Sequence, residues 1–194
     1  MIPLLKTADD VDYSDCVVTK PWGYEFQVFD NRRFSLWLLY LKAGHSTSLH
    51  CHLGKMATFI PLIGTLECKR LFRSHESTVH LQFPRTATAG AGIYHSVGAT
   101  DRDLFLMEYE TPSNKSDIVR MSDRYGRVGK GYEGEGAITR EDLGRFGHFE
   151  MTGDGAHQWN DFTLALHSDA PNVERGLTLP CGDKFLTINR GGIR

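Results

Sequence analysis

His50 and His52, one residue apart, together with His95 further along the chain, are the residues whose types and spacing point most directly to chemistry. Side chains alternate along a strand, so two histidines at i and i+2 point to the same face. A third from a distant strand closes a site for one divalent transition metal such as iron, zinc, manganese or nickel, with open positions left for a ligand. Lys55, just after the pair, is a candidate to hold an anionic substrate or act as a base, although a lysine in a tight loop is more often solvated. Glu108 is a candidate acid or base, or a distant ligand, and equally a group that accepts backbone hydrogen bonds. Arg70 is within reach of a substrate phosphate or carboxylate, with a surface role as its default. Trp37 and Tyr40 are candidates to contact substrate; they and Trp22 also supply aromatic mass to a core. Cys51 lies between the two histidines and is expected to face the other way. His45 beside Gly44 is expected to face out, and His148, His157 and His167 lack metal-ligand spacing. No nucleophile elbow, phosphate-binding loop, dinucleotide fingerprint or zinc-protease helix is present.

The elements that must position these residues read as strands. Between Tyr24 and Tyr109 apolar residues come in short runs broken by turn residues, the pattern of a β-sandwich or barrel. Strands are expected at Glu25 to Phe29, Phe34 to Leu41, Ser46 to His52, Thr58 to Ile63, Thr65 to Phe72, Thr78 to Phe83, Thr86 to Ala89, Gly92 to Ser96 and Leu104 to Glu110, with turns at Asp30-Asn31, Lys42-Ala43-Gly44, Ile63-Gly64, Ala89-Gly90 and Gly98. About eight short antiparallel strands suit a jelly roll, with another β-sandwich as the alternative. Beyond Pro112 the run from Asn114 to Gly136 is polar and glycine-rich and reads as a surface extension. Thr139 is placed to cap a short helix over Thr139 to Leu143. Phe162 to Leu166 and Lys184 to Ile188 read as strands that pad the barrel or a partner subunit.

The chain has 194 residues and a formal charge of −2, which gives no electrostatic case for nucleic acid or an anionic membrane as a partner. Its four cysteines form no CxxC pair, so reduced thiols are expected rather than a zinc ribbon or a redox dithiol. The N-terminus lacks a signal-peptide pattern, and no stretch approaches the ~20 apolar residues of a membrane span. A cytoplasmic protein is expected.

Gly44, His50, His52 and Gly64 together resemble the first cupin motif, and Gly90 to His95 resembles the second. The resemblance implies an all-β, cupin-type double-stranded β-helix (jelly roll), with a C-terminal extension of short helix and strand elements. It departs from the cupin pattern at Ala57, where a fourth ligand, a carboxylate, is usual. Three readings follow: a three-histidine site like that of some dioxygenases, a site completed by another residue or by substrate, or a barrel without metal.

A broader resemblance is to the cupin domain of type II mannose-6-phosphate isomerases. It rests on Lys20-Pro21-Trp22-Gly23-Tyr24-Glu25, on Glu108-Tyr109-Glu110, on Asp117-Ile118-Val119-Arg120 and on Asp123-Arg124-Tyr125-Gly126-Arg127, and covers about residues 18 to 130. That family has a glutamate at the Ala57 position. The Asp123 to Arg127 cluster reads as a salt-bridged corner, or else a phosphate contact. No nucleotidyltransferase domain precedes Lys20, so sugar-nucleotide synthesis is not expected. The expected organisation is an N-terminal arm over 1–19, a barrel over 20–112 and an extension over 113–194. The resemblance implies a metal-dependent enzyme acting on a small, sugar-like substrate, isomerising or epimerising a sugar or sugar phosphate in a surface-polysaccharide or modified-sugar pathway. It also implies a homodimer. A three-histidine iron(II) dioxygenase and a non-enzymatic sugar-binding or structural cupin are the alternatives.

Overall fold

Strands dominate the computed structural model, which describes residues 11–153, 155–167, 184–189 and 192–193. In chain order they are β1 (Val17–Lys20), β2 (Gly23–Asp30), β3 (Ser35–Leu41), β4 (Leu49–Cys51), β5 (Met56–Ile63), β6 (Leu66–Leu71), β7 (Glu76–Leu81), β8 (Ala87–Ala89), β9 (Tyr94–Ala99), β10 (Leu104–Thr111), β11 (Val119–Ser122) and β12 (Ile138–Thr139). Two antiparallel sheets result, one ordered β12-β1-β2-β3-β10-β5-β8 and the other β11-β4-β9-β6-β7. The chain separates into two compact units, Met1–His148 and Phe149–Arg194. Among the described residues no helix is long and apolar enough to cross a membrane.

The first unit's core lies between its two sheets. Trp37, Leu39, Phe59 and Leu106 from the longer sheet meet Leu66, Cys68 and Val97 from the shorter. β3 is central and nearly all buried, so it reads as a continuous apolar run, whereas β7 at an edge alternates between exposed and half-buried residues. Position decides the inward set. Glu108 pairs with Trp37 and Phe59, and Glu110 pairs with Ser35 and Ala57. Both glutamates therefore project from the same face as the core residue Leu106.

The expected helix at Thr139 is not formed. Thr139 and Ile138 instead pair with Val17 and Val18 as β12, which covers an otherwise open strand edge. A short 3-10 turn follows at Leu143–Phe146. Strand pairing also reaches back into the segment expected as an N-terminal arm, since β1 is a full member of the larger sheet. The polar run from Asn114 is more than surface: it contributes β11 beside β4, buries the side chains of Lys115 and Arg120, and packs the half-buried Tyr132 against the core.

The second unit contains β13 (Gly155–Trp159), β14 (Phe162–His167), β15 (Lys184–Asn189) and β16 (Gly192–Ile193) in one sheet. The strands expected at Phe162 to Leu166 and Lys184 to Ile188 are both present, and they pair with each other in parallel.

Gly64 closes the turn between β5 and β6 with φ at +92°, and a Cβ there would stand 2.5 Å from the Asp103 carbonyl oxygen. Both the dihedral and the backbone contact exclude a side chain. Gly64→Ala is expected to destabilise the fold by ~2 kcal/mol or more, seen as a lower urea midpoint at unchanged slope.

Candidate metal centre

The three histidines converge. β4 presents His50, His52 follows just past the strand end, and His95 on β9 is the direct cross-strand partner of His50. Ring centroids lie 4.6 to 5.1 Å apart, and one ring nitrogen of each lies within 4.8 Å of the others. All three are buried, with His52 3% and His95 1% exposed.

Each Nδ1 is fixed by a backbone carbonyl: His50 by Ser48, His52 by Asp117 and His95 by Ile93. A carbonyl only accepts, so each Nδ1 carries the hydrogen and each Nε2 keeps its lone pair. The Nε2 atoms of His52 and His95 are buried with no hydrogen-bond partner. Burial is also the main reason the imidazoles stay neutral. It holds His52 down at about 3, helped by the Lys55 charge, and His95 at about 4; His50 lies well below its ordinary value. Neutral, oriented imidazoles with orphaned lone pairs are a donor set that fits a divalent transition metal.

Asp117 builds the support for this set. Its carboxylate accepts the backbone N–H groups of Leu53, Gly54 and Lys55 at 2.7, 2.8 and 3.0 Å, while its carbonyl holds His52. The loop after the histidine pair is thereby tied to the segment entering β11. Asp117→Ala is expected to weaken metal binding by about 10- to 100-fold, measured by competition with a chelator.

The carboxylate absent at Ala57 reappears on the neighbouring strand. Glu110 lies directly opposite Ala57, and one of its oxygens, one of Glu108 and a nitrogen of His52 lie within 4.8 Å of one another. Glu110 is not free, however. Lys55 Nζ approaches Oε1 at 2.5 Å, and Lys115 Nζ and Ser35 Oγ approach Oε2 at 3.2 and 3.3 Å. Burial alone would raise its pKa, but Lys115 and Lys55 more than offset this and hold it below the ordinary carboxylate range. Glu108, buried and beside the Glu110 charge, is pushed up to about 7. Reading from the sequence singled out Glu108 and missed Glu110, although the two sit at i and i+2 and a strand puts both on one face. Lys55 is not solvated but 2% exposed and paired.

Lys55, Glu108, Glu110 and the three histidines line one cavity of about 50 Å³, which Lys115 and Arg120 also reach. Trp37 is buried beside it as a platform, with the Lys115 ammonium 3.8 Å from its ring centre. Tyr40 lies on the opposite face of β3, stacked on Tyr24 and donating to Asp103 at 2.7 Å; strand alternation separates it from Trp37 and the cavity. Arg70 shares a face with His95 but turns to the Thr88 carbonyl at 3.1 Å and does not line the cavity.

Nearby, Arg127 forms the corner expected of the Asp123 cluster, bridging Asp123 and Glu133 at 2.8 Å each. Lys20 joins Glu133 to Glu25, and Tyr132 donates to Glu25. Cys16, Cys51 and Cys68 are buried thiols that form no disulfide among the described residues, and Cys16 donates to the Tyr13 carbonyl; Cys181 lies outside the described residues. His45 is only partly exposed and contacts the Ala43 carbonyl. His148 packs against Phe26 and His157 stacks on Phe149, whereas the side chain of His167 lies outside the described set.

No family profile and no curated protein sequence matches the chain. Among solved structures it is similar to the capsular polysaccharide assembling protein CapF from Staphylococcus aureus, at 12% identity and a TM-score of 0.50 over 55% of this chain and 34% of that one. It is similar also to a mutant form of Bacillus subtilis oxalate decarboxylase OxdC, at 14% identity and a TM-score of 0.51 over 57% of this chain and 32% of that one. The matched region thus spans about a third of either relative. At such identities the likeness is one of fold, and together with the two antiparallel sheets it gives a double-stranded β-helix, the jelly-roll architecture.

Proposed function

We propose that the protein is a metal-dependent enzyme that shifts a proton on a small oxygenated, sugar-like substrate, in an isomerisation or epimerisation. The observation that carries this reading is one buried cavity shared by three neutral imidazoles and two carboxylates with opposed proton affinities. When bound, a divalent ion supplies Lewis acidity to a carbonyl and the neighbouring hydroxyl. Glu108, with a proton affinity near neutrality, takes the proton from the carbon beside the carbonyl and returns it to the adjacent position. Lys55 and Lys115 keep Glu110 ionised, and that charge helps hold Glu108 near neutrality. The fold likeness to a capsule-assembling protein and the isomerase-like segments support surface-polysaccharide or modified-sugar chemistry; a cytoplasmic homodimer belongs to the same proposal.

Incubating the metal-loaded protein with hydroxy-carbonyl sugars and sugar phosphates in D2O is expected to wash deuterium into the carbon next to the carbonyl. Glu108→Gln is expected to slow this by on the order of 10²- to 10⁴-fold with bound metal unchanged. No exchange across the panel would count against the reading. A second reading, a three-histidine iron(II) dioxygenase, rests on Ala57 and on the engagement of Glu110 by two lysines, which leave the imidazoles as a neutral donor set. Substrate-dependent oxygen uptake favours it, since isomerisation consumes none.

A further inference from the structure

On the inner face of the shorter sheet, four side chains form one row across β11, β4, β9 and β6. Arg120 pairs with His50, His50 with His95, and His95 with Arg70. Direct cross-strand partners share a face, with Cβ atoms roughly 5 Å apart. An arginine therefore flanks each end of the histidine pair.

The two arginines differ in where they point. Arg70 turns to the Thr88 carbonyl and does not line the cavity, although its Nε too is buried without a partner. Arg120 lines the cavity, and its side chain is 2% exposed. Its Nη1 donates to the carbonyls of Lys130 and Gly131 at 2.5 and 2.8 Å, which fixes the guanidinium plane. Its Nε is buried with no hydrogen-bond partner. Its Nη2 stands 4.0 Å from Glu133 Oε1, and Glu133 is already paired with Lys20 and Arg127. A buried cationic N–H without an acceptor costs free energy that a ligand can recover.

We infer that Arg120 is the anion-recognition residue of this cavity, selecting a small 2-hydroxy or 2-oxo carboxylate that docks side-on against Nε–H and Nη2–H. Two parallel N–H groups on the free edge match the two oxygens of a planar carboxylate. At about 50 Å³ the cavity holds roughly four water-sized groups. A carboxylate and its oxygenated neighbour are of that size, and the planar carboxylate presents both oxygens in the plane of the two donors. Because His50 is the cross-strand partner of Arg120, a carboxylate held there sets its neighbouring carbon beside the histidines. The chemistry done on that carbon rests on the acid–base reading above; the recognition of the carboxylate does not.

The test is calorimetric titration of the full-length, metal-loaded protein with glycolate and with glycolamide, its uncharged counterpart. Glycolate is expected to bind at least about tenfold more tightly. Arg120→Lys is expected to remove most of that preference, with circular dichroism and metal content as in the wild type. The ratio is the readout, because a merely structural role for Arg120 would weaken both probes together. Equal or undetectable affinity of the wild type for the two probes overturns the inference, and needs no variant to do so. A full acid preference in a folded Arg120→Lys overturns it as well. Inorganic phosphate is the third arm, and tighter binding of phosphate than of glycolate overturns the carboxylate assignment. An Arg120-dependent glycolate preference in a protein that catalyses no deuterium exchange supports the inference while removing the isomerase reading.

Discussion

Replacing His52 with alanine is expected to weaken metal binding by more than about 100-fold, since even partners one shell out from a metal contribute about 10- to 100-fold. The reason lies in how the three rings are held. Their Nδ1 atoms are engaged by backbone carbonyls, and the Nε2 atoms of His52 and His95 are buried with no hydrogen-bond partner. A metal that binds only the folded state stabilises it by mass action, by about 4 kcal/mol at a thousandfold excess over Kd. The wild type should therefore melt at a higher temperature with metal than after chelation, and His52→Ala should lose both the metal and the response. Little else holds the ring, whose Nδ1 meets the Asp117 carbonyl, so the variant should keep its secondary structure. Elemental analysis and paired melting curves decide the matter. A His52→Ala protein that retains stoichiometric metal would remove the three-histidine centre.

How much of this was legible in the sequence follows from which forces are local. The histidine convergence could be read from strand alternation, because period-2 geometry puts His50 and His52 on one face whatever the rest of the chain does. The strands from Glu25 to Glu110 were likewise legible, since alternating burial and turn residues mark them within short windows. Charge burial was not. Lys55, Lys115, Glu110 and Arg120 are all buried, yet each is the residue type that a local pattern assigns to solvent. Their burial depends on partners far away in sequence: Lys55 on Glu110, and Lys20 on Glu133. For the same reason the run from Asn114 to Gly136 reads as surface, although its charges pair with one another and with the strands. Thr139 is a similar case, because its capping preference yields to the open edge of β1. Ala57 marked a real vacancy in the motif, and what stands opposite it could be learned only from the register of β5 against β10.

Glu110→Gln should be the most destabilising polar substitution in the barrel, because it leaves two buried ammonium groups without their shared anion. Lys55 and Lys115 both reach this one carboxylate, and all three side chains are buried. Removing one member of a buried ion pair typically costs about 3–5 kcal/mol, since the remaining charge is left uncompensated. In a chain of this size that lowers Tm by on the order of 10 °C. Glutamine keeps the volume and can still accept from Ser35, so the loss reports charge and not a cavity. Adding Lys55→Met and Lys115→Met to Glu110→Gln should restore much of the stability, because apolar replacement of a buried charge cluster is often neutral. The pH dependence has a defined sign. Glu110 is lowered in the fold, so its contribution is complete above the ordinary glutamate value and fades as pH falls below it; Lys115 is raised by Glu110, so its contribution holds through the neutral range and fades only in strong alkali. The stability gap between wild type and Glu110→Gln should therefore stay level from about pH 7 to 9, where Glu108 is ionised in both proteins, and narrow in strong acid as Glu110 is protonated; between these limits it changes with the titration of Glu108, which Glu110 raises only in the wild type. Urea unfolding across that range tests both statements. A single variant within about 0.5 kcal/mol of wild type would mean that the two lysines do not depend on Glu110.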